Sequence, residues 1–302
     1  VYPVSRPRSF AYLKISDGCD NMCSYCAIPQ IRGHHRSRPM KDIADEAKHH
    51  ISHGVRELVL IGQDTTVYGS DLYGKQSLPL LIDKLSNLDG RFSIRIMYAH
   101  PKGLTDKIIG VLLSGKPVLP YLDLPLQHIS DRILSAMNRK VTSTGIKDLI
   151  MKLRASVPGM MLRTTYLVGY PGETSSDFEK LLRFQEEFDI ERVGVFGYSP
   201  EEGTKAYGSN VRVRASTIAR RIDTLMSLVQ EQSLRRNHAL IGTVEKLLVD
   251  CPAGEGKVWA RLSSQAPEVD GHVLLQGKFR RGTAVDARIT DAEAYDLYAE
   301  PV

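Results

Sequence analysis

The 302-residue sequence has no run of about eighteen apolar residues, so no stretch is long enough to cross a bilayer as a helix, and no membrane partner is expected. No charged-then-apolar leader opens it. It lacks repeats and low-complexity tracts, which excludes a solenoid or an array. Cysteine is scarce: four residues, three of them within eight positions and the fourth far away at Cys251. That is too few and too uneven for a disulfide framework, so a reducing cytoplasm is the expected setting. There is no initiating Met, and "VYPVSRPRSF" (1–10) reads as a linker, so a trimmed chain or a fragment is expected.

What is present is ordinary for a globular protein: 42% apolar and 25% charged residues. The length suffices for one large domain and a small one. The net charge of +5 is unevenly spread. Residues 1–40 hold six basic side chains against two acidic ones, whereas residues 235–302 hold nine against ten. Basic charge therefore surrounds the clustered cysteines, and the C-terminal end lacks it.

Short apolar runs at 11–16, 57–62, 92–98, 120–125, 162–169 and 192–198 read as strands. Helix patterns fill the gaps between them. Six strand–helix alternations imply a parallel sheet with right-handed crossovers, either doubly wound or closing towards a barrel. Both put ligands at the C-terminal ends of the strands. The cysteines, "GQD", "LQH" and "GYPGE" all follow strand-like runs. A long helix pattern covers about 215–239. Beyond it, five short strand-like runs separated by turn residues describe a small antiparallel β-barrel. The expected division is a linker at 1–10, an α/β domain at 11–236 and a β-barrel at 237–302. The barrel stands apart from the cysteine region in sequence. It is expected to govern substrate capture and leave the cysteine chemistry alone, and Cys251 is expected in its core.

The spacing Cys19-x-x-x-Cys23-x-x-Cys26 raises a question of ligand count. Three thiolates can hold three irons of a [4Fe–4S] cubane and leave the fourth open to another molecule. A structural zinc site with His34 or His35 as fourth ligand is the alternative.

This spacing after the first strand of a six-unit α/β chain resembles the radical S-adenosylmethionine (SAM) superfamily. The resemblance implies a partial (β/α)6 barrel holding one [4Fe–4S] cluster on Cys19, Cys23 and Cys26. SAM would chelate the open iron, and one-electron reduction would split it into methionine and a radical that abstracts hydrogen. "GCDNMCSYCAIPQIRGHHRSRP", "GYPGET" and "YSPEEGTKAY" narrow the likeness to the methylthiotransferases, and the terminal barrel resembles their TRAM domain. That family carries a second [4Fe–4S] cluster in an N-terminal domain, and an external reductant such as flavodoxin or ferredoxin would feed the chemistry. A chain without that domain is expected to cleave SAM but not to complete methylthiolation. "SDGCD" and "QAPEVDGHVLL" resemble the branch that modifies the β carbon of an aspartate in the twelfth small-subunit ribosomal protein. The other branch modifies a tRNA adenosine beside the anticodon. A barrel that grips tRNA should be basic, and this one is slightly acidic. A third, non-enzymatic reading is a metal-stabilised RNA-binding module.

Six further residues are candidates for holding SAM. Tyr25, by the resemblance, lies near the adenine, or else it only covers the cluster. Asp64, with Gln63, stands where the superfamily often binds the SAM amino group. Gln127 is favoured over His128 as the functional polar residue after the fourth strand. Arg163, among apolar residues, needs an anion, either the SAM carboxylate or an internal Asp or Glu. Gly169 would let backbone approach adenosine, and Glu173 belongs to the same motif. Arg32, Arg36 and Arg38 are candidates to bind a substrate carboxylate.

Overall fold

The computed structural model describes residues 8–114 and 117–302. Most of the expected N-terminal linker, residues 1–7, lies outside the described residues.

The strands, in chain order, are β1 (Phe10–Lys14), β2 (Ser16–Asp17), β3 (Arg36–Ser37), β4 (Glu57–Ile61), β5 (Ser93–Ile96), β6 (Val118–Asp123), β7 (Met161–Val168) and β8 (Arg192–Gly197). Five more follow: β9 (Val244–Gly254), β10 (Lys257–Arg261), β11 (Val273–Gln276), β12 (Ala284–Ala292) and β13 (Leu297–Pro301). The helices are α1 (Ile28–Arg32), α2 (Met40–Ser52), α3 (Leu78–Ser86), α4 (Asp106–Leu113), α5 (Asp131–Ala136), α6 (Ser143–Ser156), α7 (Ser175–Phe188) and α8 (Ala215–His238).

The main sheet is parallel, with the order β1-β4-β5-β6-β7-β8. Each strand lies beside the next one in sequence, with no reversal of winding, so the doubly wound alternative is excluded and the fold is a partial barrel. The strands form because their residues are apolar on both sides of the pleat. Leu58, Leu60, Ile94, Ile96, Leu122 and Leu162 meet the inner faces of the surrounding helices, such as Ile43 and Ala47 of α2 and Leu181 and Phe184 of α7. Helix α7 begins with a capping box, Thr174 and Asp177 satisfying each other's backbone N–H groups.

Strands β9–β13 close into a barrel of their own around Leu247, Val249, Ala260, Val273, Ile289 and Leu297. Cys251 is not in that core; it is exposed. Alternation from Leu247 and Val249 should carry it inward. However, Ala260 pairs with Val249 while Trp259 pairs with Cys251, leaving Asp250 as a bulge residue. The extra residue turns Cys251 to the outer face.

The small barrel is built into the N-terminal end of the main sheet. Ala266 is fully buried against Val59, Met97 and Tyr121 inside the partial barrel. Tyr12 Oη donates to Pro267 O at 3.1 Å, and Tyr121 Oη to Asp270 Oδ2 at 2.7 Å. Beside this plug, Arg261 reaches Glu57 Oε2 at 2.9 Å and Asp250 Oδ2 at 2.6 Å, while Arg95 Nε reaches Glu57 Oε1 at 2.6 Å. The two domains therefore share one buried network, a continuity their separation in sequence does not suggest.

Candidate active site

At the opposite end, where the strands end, a cavity of about 590 Å³ opens. It is lined by the end of β1 (Lys14), the end of β4 (Ile61 to Gln63), the turn after β5 (Tyr98 to His100) and the turn after β6 (Pro125, Gln127). Its remaining wall is the 19–32 segment, with Cys19, Asn21, Cys23, Tyr25, Cys26, Ile28 and Arg32, together with Arg139.

Local sequence explains how the cysteine loop is held. Gly18 has φ +74°, and a Cβ there would sit 2.1 Å from His34 O. Only glycine lets the loop return so close to residues 33–34, where Gly33 O accepts from Cys19 N at 3.2 Å. Ser24 is tied down through its N–H to Met137 O (3.1 Å) and through Oγ to Ala136 O (2.8 Å). Helix α1 begins two residues after Cys26, with Pro29 in its first turn.

Two non-glycine residues that line the cavity hold left-handed backbone, Tyr98 (φ 57°) and Gln127 (φ 72°), and so does Met22 (φ 50°) within the cysteine loop. Such strain collects where surrounding structure over-determines a functional geometry. Tyr98 N–H donates to Asp123 Oδ2 at 3.0 Å, and Gln127 is fixed by Thr165 O and Leu167 N on β7, each at 2.8 Å.

The donor set fits a polynuclear cluster. Among the described residues no three of His, Cys, Asp or Glu converge tightly enough for one metal ion. His34 points into solvent and pairs with Asp20 at 2.7 Å, and His35 pairs with Ser37 at 3.1 Å. Neither completes a zinc site. The three thiols instead face one cavity, and two of them receive N–H groups: Asn21 Nδ2 lies 3.5 Å from Cys19 Sγ, and Arg139 Nη1 lies 3.5 Å from Cys23 Sγ. Burial pushes the Cys19 and Cys26 thiols up, so binding iron there must release protons.

The sequence-based candidates separate cleanly. Cys19, Cys23, Cys26, Tyr25, Gln127 and Arg32 line the cavity. Asp64 stands behind it, buried, accepting from Asn21 Nδ2 at 2.7 Å and from Thr66 Oγ1 at 2.6 Å. Arg38 is occupied by Lys14 O (2.7 Å) and Glu46 (2.7 Å). Arg36 lies outside the lining, paired in β3 with Asp17 of β2. Arg163 is at the other end of the sheet, 3.3 Å from Asp123 and 3.6 Å from Asp270, so internal carboxylates supply its anion.

Gly169 and Glu173 also lie away from the cavity. A Cβ on Gly169 would fall 2.4 Å from Ile218 Cγ1, so this glycine admits α8. Glu173 accepts from Gly169 N and Tyr170 N and pairs with Arg221 of α8 at 3.0 Å. The motif is a turn that seats the long helix. His128 is buried, with Nδ1 accepting from Ser130 N at 2.9 Å.

Sequence reasoning missed Asn21, Arg139 and His100. Asn21 had a signal, being a polar residue inside the cysteine spacing. Arg139 reads as an ordinary helix-end cation, yet it is buried, with Nη2 bonded to Pro125 O and Nε unpartnered. His100 Nδ1 accepts from Lys102 N at 3.2 Å, which places the ring proton on Nε2. Burial, reinforced by Arg139 and Lys102, pushes its pKa down to about 3, so it stays neutral.

A parallel α/β partial barrel with three thiols on its C-terminal cavity is the architecture of the radical SAM superfamily, whose sequence pattern matches residues 13–184. The TRAM domain pattern matches residues 241–302. Coproporphyrinogen III oxidase (HemN) from Escherichia coli, a radical SAM enzyme, shares the fold at TM-score 0.58 and 16% identity, over 98% of this chain and 72% of that one. The ribosomal protein uS12 methylthiotransferase RimO of Geobacter sulfurreducens is 45% identical over 299 residues, 98% of this chain and 67% of that protein. RimO of a Thermoanaerobacter species is 42% identical, over 98% of this chain and 68% of that protein. The chain thus spans about two thirds of the length of these relatives, and it belongs to the RimO family of radical SAM methylthiotransferases.

Proposed function

We propose that this chain supplies the SAM-cleaving core and the substrate-docking barrel for methylthiolation of an aspartate β carbon in ribosomal protein uS12. The observation that carries the reading is the open cavity with three thiols and no fourth thiol. Cys19, Cys23 and Cys26 would hold a [4Fe–4S] cluster and, being three, would leave it open to SAM. When bound, that pair supplies reductive SAM cleavage and hence hydrogen abstraction from carbon.

The protein's own residues do the positioning. Arg32, at the exposed rim, is a cation for the substrate aspartate, and Arg139, held on the cavity wall by Pro125 O and Cys23 Sγ, brings fixed positive charge to the site. Gln127 and the His100 Nε2–H offer neutral polar contacts. Tyr25 stays protonated because burial pushes its hydroxyl far up, so it brings an uncharged ring to the wall. Ile28, Ile61 and Pro125 exclude water from the reacting carbon.

An external one-electron donor of the flavodoxin or ferredoxin type completes the partner set, and free cysteines suit a cytoplasmic enzyme. The slightly acidic barrel favours a basic ribosomal protein over tRNA. Anaerobic reconstitution should give about four irons per chain, with methionine and 5′-deoxyadenosine released on reduction. Titrations with uS12 and with tRNA test the substrate. Tight uS12 binding supports the reading, and tighter, salt-sensitive tRNA binding refutes it.

A further inference from the structure

Asn21 sits between two of the cluster cysteines, where it performs none of the tasks assigned above. Its Nδ2 is 2.7 Å from Asp64 Oδ2 and 3.5 Å from Cys19 Sγ. Asp64 is buried, and its other oxygen accepts from Thr66 N at 3.0 Å and Thr66 Oγ1 at 2.6 Å. That carboxylate therefore cannot swing away. Asp64 Oδ2 accepts from Asn21 Nδ2, and this fixes which end of the Asn21 amide turns towards it. The NH2 group must point to Asp64, and its second N–H is then left for the Cys19 sulfur. The chain Thr66–Asp64–Asn21–Cys19 runs from the loop after β4 to a cluster ligand.

We propose that Asn21, oriented by Asp64, is a positioning residue that raises the reduction potential of the cluster. The inference rests on the reading of Cys19, Cys23 and Cys26 as cluster ligands. An N–H directed at a ligating thiolate draws charge from it, and this stabilises the reduced, more negative cluster more than the oxidised one. Arg139 Nη1, like the Tyr25 hydroxyl, is directed at another thiol, Cys23. Those donors act on a different thiolate from Asn21, so its contribution is separate.

The test uses the reconstituted chain without SAM, and it compares the native protein with Asn21→Leu, an apolar replacement of similar size, and with Asn21→Ala. Iron and sulfide content, the midpoint potential from an EPR-monitored titration, and hyperfine couplings to exchangeable protons are measured. Both variants should keep full iron, show a more negative midpoint, and lose one exchangeable coupling seen in the native cluster. Should one variant load poorly, the other and the native coupling still decide. Unchanged midpoints at full iron, or a native cluster without that coupling, overturn the inference while leaving the cluster reading intact. A native chain that takes up zinc and no iron overturns both. Asp64→Asn removes a nearby negative charge and so raises the potential in any background. If Asp64 acts through Asn21, that rise is smaller in the native chain than in Asn21→Leu. Equal rises would show that Asp64 does not orient Asn21.

Discussion

Replacing Arg261 by Ala should be the most damaging single change in this chain outside the cavity. The side chain is about 1% exposed and makes contacts in three directions: Asp250 through Nε (2.6 Å) and Nη2 (3.1 Å), Glu57 through Nη1 (2.9 Å), and Gln265 O (2.9 Å). Removing it leaves the Asp250 carboxylate with Ser9 Oγ alone and Glu57 with Arg95 alone. Breaking a buried pair by deleting one partner costs about 3–5 kcal/mol, because a charge is left in a site that water cannot reach. Unfolding entropy scales at about 2 cal/mol/K per residue, which gives roughly 0.6 kcal/mol/K for a chain of this size, so a loss of about 4 kcal/mol lowers Tm by about 6 °C. Arg183→Ala is the control: its partner Glu179 is also exposed, and such pairs contribute less than about 1 kcal/mol.

Differential scanning calorimetry of the anaerobically reconstituted protein reads the result. The native chain should melt in one transition, since the network joins both domains, and Arg261→Ala should move that whole transition down. A shift below about 2 °C, or an early barrel transition with the main sheet unaffected, would refute the reasoning. Acidity adds a second check. Burial alone would raise the Glu57 pKa, but Arg95 and Arg261 outweigh it and hold it below the usual range. A depressed carboxylate stabilises the fold above its unfolded pKa of about 4.3 and loses that contribution as pH falls through the folded value. The gap between native and variant Tm should therefore narrow only under acid conditions below about pH 4.

Ala at Cys19, Cys23 or Cys26 should each abolish stable iron binding and SAM cleavage, whereas Cys251→Ala should retain both, measured as iron per chain and 5′-deoxyadenosine released. Gly169→Ala should lower stability by about 1–3 kcal/mol in a thermal melt through the clash with Ile218, yet leave iron content intact. Gln127→Ala should weaken SAM binding by about 2- to 12-fold, the worth of one hydrogen bond, with the cluster spectrum unchanged.

The gathering of Cys19, Cys23 and Cys26 on one cavity was legible in the sequence because the three lie within one short loop and their spacing is local. The strands were legible for a similar reason: runs such as Glu57–Ile61 are apolar on both faces and admit few other structures. Residues that act across long sequence distances could not be placed this way. Gly169 and Glu173 follow a strand directly, as ligand residues do in such folds, and only the packing of α8 about 45 residues later shows that they serve a helix. Arg163 demanded an anion on grounds of burial, but which anion depended on Asp270, more than a hundred residues away. Cys251 obeyed the alternation rule until a single bulge broke it.

The packing of the barrel into the core was hidden from the sequence for the same physical reason. A half-closed sheet of six strands leaves its interior open at the N-terminal end, and Val59, Met97 and Tyr121 would face water there. The 262–270 segment fills that opening with Ala266 and sets Asp270 beside Arg163, so the barrel is also the floor of the core. From that floor, contacts run upward through Arg163 to Asp123, and Asp123 holds the backbone N–H of Tyr98 on the cavity wall at 3.0 Å. The 262–270 plug and the cavity wall are thus two ends of one packed column. A protein interior packed this densely shifts as a unit, so the barrel's seating bears on the shape of the cavity that the three cysteines line.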